Sequence, residues 1–183
     1  MKKYLITSPE FYTDTPAIFT QKLHKQIRKH KPDYVLYRDK QTSRYKGMAK
    51  VFLDVALKYK NIKAFLHTDV ELAAQLNAYG IHLPSTAFDK IKEAKDLGLK
   101  VIISTHTKEE VLNAESLGAE YVTYSPIFAT PNKGKPKGVD DLKALLSQTQ
   151  IKVFALGGIV EQKELDLIAK SGVYGFASIR YFY

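Results

Sequence analysis

KVIISTHTKEEVLNAESLGAEYVTY, residues 100–124, spells a strand, a helix and a second strand in one short stretch. Lys100–Ile103 is a short β-branched run that ends in Ser104, Thr105 and His106. Thr107 followed three residues later by Glu110 forms a capping-box pattern, which opens a helix that runs to Leu117. Gly118 stops it, and Glu120–Tyr124 is apolar and β-branched again. Strands that are apolar on both faces, joined through a helix, belong to a parallel sheet covered on both sides.

The same unit recurs in both directions. Upstream lie the strand-like runs Tyr4–Thr7, Asp33–Arg38, Lys63–His67 and Ile81–Leu83. Between them the pattern predicts a helix capped by Thr15 with Pro16 in its first turn and running to Lys29, and one capped by Ser43 and running to Tyr59. It also predicts Asp69–Ala78 closed by Gly80, and Thr86–Leu97 closed by Gly98. Downstream come a helix at Val139–Ser147, a strand at Lys152–Leu156, a helix at Glu161–Lys170 closed by Gly172, and a strand at Tyr174–Ser178. Eight strands alternating with seven helices predict an α/β fold, a (β/α)8 TIM-type barrel lacking its last helix, with residues 1–183 as one domain. An open doubly wound sheet is the second arrangement consistent with the pattern. Tyr181, Phe182 and Tyr183 then either plug the uncovered flank or meet a second subunit, as in a homodimer.

Composition narrows the function. With 45% hydrophobic and 26% charged residues, the chain is an ordinary globular sequence. It contains no cysteine, which excludes disulfides and thiolate metal sites and fits a cytoplasmic location. No apolar run approaches the ~20 residues that cross a bilayer, so no membrane partner is expected. The net charge of +9 favours anionic partners. The lysines are spread over every helix, however, and no aromatic–basic motif for nucleic acid occurs. Small phosphorylated metabolites remain.

In a barrel, residues at the strand C-termini share one rim, and function sits there. That rim collects Arg38 and Lys40, His67 and Thr68, Ser104 and His106, Gly157 and Gly158, Ser178 and Arg180. The long loop SPIFATPNKGKPKG, Ser125–Gly138, adds Thr130 and three lysines, Lys133 among them. Lysine ammoniums, glycine amides and hydroxyls are what a phosphate or carboxylate needs. A glycine pair alone is equally a tight turn, and His106 is either a proton carrier or a polar residue at a helix start. His82 reads as a barrel-lining histidine. No carboxylate other than Asp39 falls on the rim, whereas a dedicated Mg²⁺ site would want one or two.

STHTKEEVLNAESLGAEYVTYSPIFATPNK at 104–133, followed by FALGGI at 154–159, resembles the thiamine phosphate synthase/TenI family. The motifs are the serine–x–His–Thr before a helix, the PIFxTxxK loop and the GGI turn; YRDK at Tyr37–Lys40 is similar to the family's LREK segment. The resemblance implies a barrel that binds a thiazole phosphate. Gly157, Gly158, Ser178 and Arg180 would hold the phosphate, and Arg38, Lys40, Ser104, Thr130 and Lys133 a second anionic group. Synthases of the family join hydroxymethylpyrimidine pyrophosphate to thiazole phosphate with Mg²⁺ on two aspartates. Here His67, Thr68 and Thr86 occupy the matching segments, so no metal ligand is carried over, and LPSxxF at Leu83–Phe88 resembles the TenI branch instead. The resemblance therefore implies first a thiazole phosphate tautomerase, with His106 as acid/base and no cofactor. Its second implication is a synthase with a displaced Mg²⁺ site, and its third a catalytically silent phosphate-ligand binding or regulatory protein.

Overall fold

The computed structural model describes residues 1–183. The strands are β1 Lys2–Ile6, β2 Tyr34–Tyr37, β3 Lys63–His67, β4 Gly80–Leu83, β5 Lys100–Thr105, β6 Tyr121–Tyr124, β7 Lys152–Leu156 and β8 Gly175–Ser178. Each pairs in parallel with its sequence neighbours and β8 returns to β1, so the sheet closes into a barrel. The helices are α1 Pro9–Tyr12, α2 Pro16–His30, α3 Tyr45–Ala56, α4 Val70–Gln75, α5 Lys90–Asp96, α6 Lys108–Ser116, α7 Gly138–Leu146 and α8 Gln162–Ala169. The (β/α)8 reading holds, and the open sheet is excluded by the β1–β8 ladder. No helix is long and apolar enough to cross a membrane.

Local signals explain most of the boundaries. Thr107 and Glu110 form both hydrogen bonds of the capping box. Gly98, Gly118 and Gly172 take φ of +79, +84 and +79, the left-handed turn that ends a helix. Gly80 behaves differently from expectation. It is the first residue of β4, and Asn77 supplies the left-handed turn with φ +52. Ser43 does not cap α3, which begins after Arg44. Successive tight turns span 84–91, so α5 starts at Lys90 rather than Thr86.

The barrel interior is filled by aromatic rings. Tyr4, Tyr34, Phe65, Tyr121 and Phe154 are all buried in one cluster. Phe154 lies 5.1 Å from Tyr4, 5.0 Å from Tyr34 and 5.3 Å from Tyr174, centroid to centroid. Small residues on neighbouring strands make the room. A Cβ on Gly80 would lie 2.5 Å from Phe65 Cε1, and one on Gly175 2.6 Å from Phe154 Cε1. Burying each ring contributes roughly 1.5–3 kcal/mol, so this plug is both a stabilising core and a rigid floor under the rim.

After β8 a 3₁₀ turn at Arg180–Phe182 folds back. Phe182 is fully buried and stacks on Phe176 at 5.5 Å with the rings 5° apart, while Tyr183 packs on Phe11 at 4.4 Å. The aromatic tail plugs the flank.

Candidate functional site

The rim divides into two halves, joined by the loop after β6. The loop is held down at its base: Ile127 N–H donates to the Leu156 carbonyl at 2.9 Å, and Phe128 N–H to the Gly157 carbonyl at 3.0 Å. It closes on itself where Gly138 N–H donates to the Ile127 carbonyl at 2.9 Å. This seating leaves no space above the glycine turn. A Cβ on Gly157 (φ +100) would meet Pro126 Cα at 2.8 Å, and one on Gly158 (φ +68) would meet Phe128 Cβ at 2.6 Å. The glycines are required here both for backbone conformation and for close approach.

Beside that turn is a cavity of about 230 Å³, lined by Thr130, Gly157, Gly158, Ser178 and Arg180 together with the α1 segment. The N–H groups of Gly157, Gly158 and Ile179 make no hydrogen bond within the chain. Free amides in a left-handed turn beside a guanidinium form an anion-receptive concavity. The Ser178 hydroxyl is committed elsewhere: it donates to the Ile159 carbonyl at 2.8 Å and accepts from Tyr181 N–H at 3.2 Å. Thr130, expected with the second anion, lines this first cavity and donates to the Phe128 carbonyl at 2.9 Å.

The other half gathers Arg38, Lys40, His67, His82 and Ser104. Arg38 is half-buried, and its guanidinium has no hydrogen bond or ion pair. Burial lowers its pKa, an effect that Asp39 opposes. His67 donates to or accepts from Thr68 Oγ1 at 2.8 Å, and its pKa is pushed down to about 4 by burial, then by the charges of Arg38 and Lys40. It is neutral at physiological pH, so the positive charge here comes from Arg38 and Lys40 alone. His82 lies beneath, buried, with its pKa well below the usual imidazole range because of burial and then of His67 and Arg38.

His106 stands at the start of α6, its N–H bound to Glu110 Oε2 at 2.5 Å. Its Nδ1 lies 3.1 Å from the Ser125 carbonyl, which can only accept. The Ser125 hydroxyl lies 3.3 Å from the same nitrogen, and Nε2 has no partner within the chain. Lys133 and Lys135 point into solvent from the loop, whereas Lys137 covers the Tyr124 ring at 4.9 Å.

The donor set does not suit a divalent cation. Asp39 Oδ1 accepts from the N–H groups of Gln41 and Thr42 at 2.9 and 3.1 Å, and Asp69 Oδ1 accepts from Leu72 N–H. Both carboxylates serve as backbone caps, and no three His, Asp or Glu side chains converge. A Mg²⁺ ion held by paired rim aspartates does not fit these residues. The sequence reading missed α1 as a wall of the cavity beside the glycine turn and missed the partners of His82. For α1 the signal was Ser8-Pro9, an N-cap followed by proline at the first helical position.

Comparison with known proteins identifies the family and the fold. The family sequence model described as thiamine monophosphate synthase matches residues 3–182. The thiamine-phosphate synthase of Lactococcus lactis subsp. cremoris (strain MG1363) is 33% identical over 154 residues, covering 78% of this chain and 69% of that protein. That of Vibrio campbellii (strain ATCC BAA-1116) is 33% identical over 132 residues, covering 67% and 62%. The thiamine phosphate pyrophosphorylase from Pyrococcus furiosus superposes with a TM-score of 0.84 at 24% identity, over 97% of this chain and 85% of that one, which establishes the fold. These relatives are named as synthases, which supports the second of the functional expectations above better than the first. A match across nearly every residue, on a barrel whose rim carries the motif loop seated on the glycine turn, makes the chain a member of the thiamine monophosphate synthase family of enzymes.

Proposed function

We propose that this protein joins a pyrimidine diphosphate ester to a thiazole phosphate, releasing diphosphate. The observation that carries the reading is the presence, on one rim, of two cation-bearing halves: Arg180 beside the free turn amides, in a cavity whose one carboxylate is Glu10, and Arg38 with Lys40. The thiazole phosphate would sit in the cavity at Gly157, Gly158 and Arg180. The diphosphate would be held by Arg38, Lys40 and the Ser104 hydroxyl, with Lys133 swinging in from the loop. In the transfer, the thiazole nitrogen lone pair forms a C–N bond to the pyrimidine methylene carbon while the C–O bond breaks, its electron pair leaving on diphosphate. Fixed cations at the departing oxygen stabilise the charge that develops there. The 183 residues would act as one unit.

A second reading, proton transfer on a thiazole phosphate carboxylate, is favoured by one observation: His106 presents an unpartnered Nε2 on the same rim. Arg38 and Lys40 would then hold the carboxylate.

The test is turnover by purified protein given both substrates, with and without Mg²⁺. Thiamine phosphate and diphosphate in equal amounts, lost in Arg38→Ala, are expected. Absence of product under both conditions would overturn the transfer. His106-dependent isomerisation of the carboxylate tautomer would then establish the second reading, and no turnover on either substrate would leave a phosphate-binding protein.

A further inference from the structure

Beneath the rim a buried chain of three side chains has only one consistent arrangement of protons. Tyr4 is fully buried, and the rings around it are Tyr34, Phe65 and Phe154. Its hydroxyl has one polar partner, His82 Nδ1 at 2.9 Å. The other imidazole nitrogen, Nε2, lies 3.0 Å from Ser104 Oγ, and that contact is the only hydrogen bond the serine hydroxyl makes. A buried phenol must place its hydrogen on an acceptor, and Nδ1 is the one within reach. Nδ1 then accepts, so Nε2 carries the hydrogen and donates it to Ser104 Oγ. The reverse chain, from Ser104 to Nε2 and from Nδ1–H to the Tyr4 oxygen, would strand the phenol hydrogen among aromatic rings. The imidazolium form would strand it too.

We infer that Tyr4 and His82 are positioning residues that polarise Ser104, leaving its hydroxyl hydrogen free as a donor to an anionic oxygen on the rim. The inference deepens the reading given under Proposed function and rests on it for the ligand, the diphosphate group. Ser104 is half-buried and finds no protein acceptor, and the rim above it carries the unpaired guanidinium of Arg38. Tyr4 thereby acts on the ligand through two intervening hydrogen bonds.

Two measurements test this. The first is the ¹⁵N spectrum of the imidazoles in the wild-type protein without ligand. His82 is expected as the neutral Nε2–H tautomer, with a coupling partner in Tyr4→Phe that changes it; a neutral Nδ1–H tautomer or an imidazolium in the wild type overturns the inference and leaves the proposed reaction untouched. The second is calorimetric binding of inorganic diphosphate. Ser104→Ala and His82→Leu should each lose about tenfold in affinity, the loss of one hydrogen bond to a charged group. The double variant should lose no more than either alone, and His82→Gln, which keeps an N–H donor, should recover most of it. Losses that multiply in the double variant, or full affinity in His82→Leu, would overturn the inference. Full affinity in Ser104→Ala with the expected tautomer would overturn it by removing the ligand from Ser104.

Discussion

Replacing Gly157 by alanine tests whether the loop after β6 is truly clamped on the glycine turn. Two costs add. Gly157 has φ +100, a conformation that an L-residue adopts at a cost of about 1–2 kcal/mol. The new Cβ would also lie 2.8 Å from Pro126 Cα, 2.9 Å from Pro126 Cβ and 3.2 Å from Thr130 Oγ1, and overpacking against backbone costs about 1–3 kcal/mol. The sum is about 2–5 kcal/mol. For a chain of this length each kcal/mol moves the melting temperature by about 2–4 °C, so Gly157→Ala should melt about 4–20 °C lower by circular dichroism or calorimetry. Gly134→Ala is the control. It lies in the same loop, has nothing within 4 Å of its added Cβ and does not adopt a positive φ, so its melting point should stay within about 2 °C of wild type. Stabilisation by added inorganic phosphate should also shrink in Gly157→Ala, because the turn amides move. If Gly157→Ala melts where wild type does, the contact of Pro126 and Thr130 with the turn is wrong, and with it the shape of the cavity beside it.

Other consequences can be measured on the same protein. Phe182→Ala removes a fully buried ring stacked on Phe176 and should cost about 3–5 kcal/mol, whereas Tyr183→Ala, half-exposed, should cost far less; equal melting points for the two would mean that the tail does not plug the flank. His67, with its folded pKa near 4 against about 6.5 unfolded, binds its proton more readily in the unfolded chain. Its stabilisation is therefore complete above pH 6.5 and is lost as pH falls from 6.5 towards 4, so His67→Gln should flatten the acid limb of a urea-melt profile, and an unchanged limb would refute the assignment. Arg180→Ala should weaken binding of inorganic phosphate about tenfold and leave the melting point nearly unchanged, since the side chain is exposed; unaltered affinity would take Arg180 out of the site.

The barrel was legible because each strand–helix unit carries its own punctuation. The Thr107–Glu110 box and the glycines at 98, 118 and 172 act over a few residues, and the structure uses all of them as read. Gly80 was misread for a physical reason. A glycine after a helical pattern looks like a terminator, but the space of its absent side chain is taken by the Phe65 ring from the neighbouring strand β3, a demand set by tertiary packing. Ser178 shows the same limit within the site. Its place at the end of β8 marks it as a phosphate ligand, yet its hydroxyl is engaged by the Ile159 carbonyl. The link from Tyr4 to Ser104 joins residues far apart in the chain, and only barrel closure brings them together. The rim cations were visible because strand ends are visible. Their division into two halves was not, since Thr130 goes with the glycine turn through the loop's own backbone bonds.

In the proposed reaction one rim holds two anions at once with its own cations. Isothermal titration of thiazole phosphate into protein, with and without saturating inorganic diphosphate and with no added metal, measures this directly. Both ligands should bind together, each altering the other's affinity by less than about threefold, with Arg180→Ala weakening only the monophosphate and Arg38→Ala only the diphosphate. Mutual displacement, or one variant weakening both ligands alike, would contradict it.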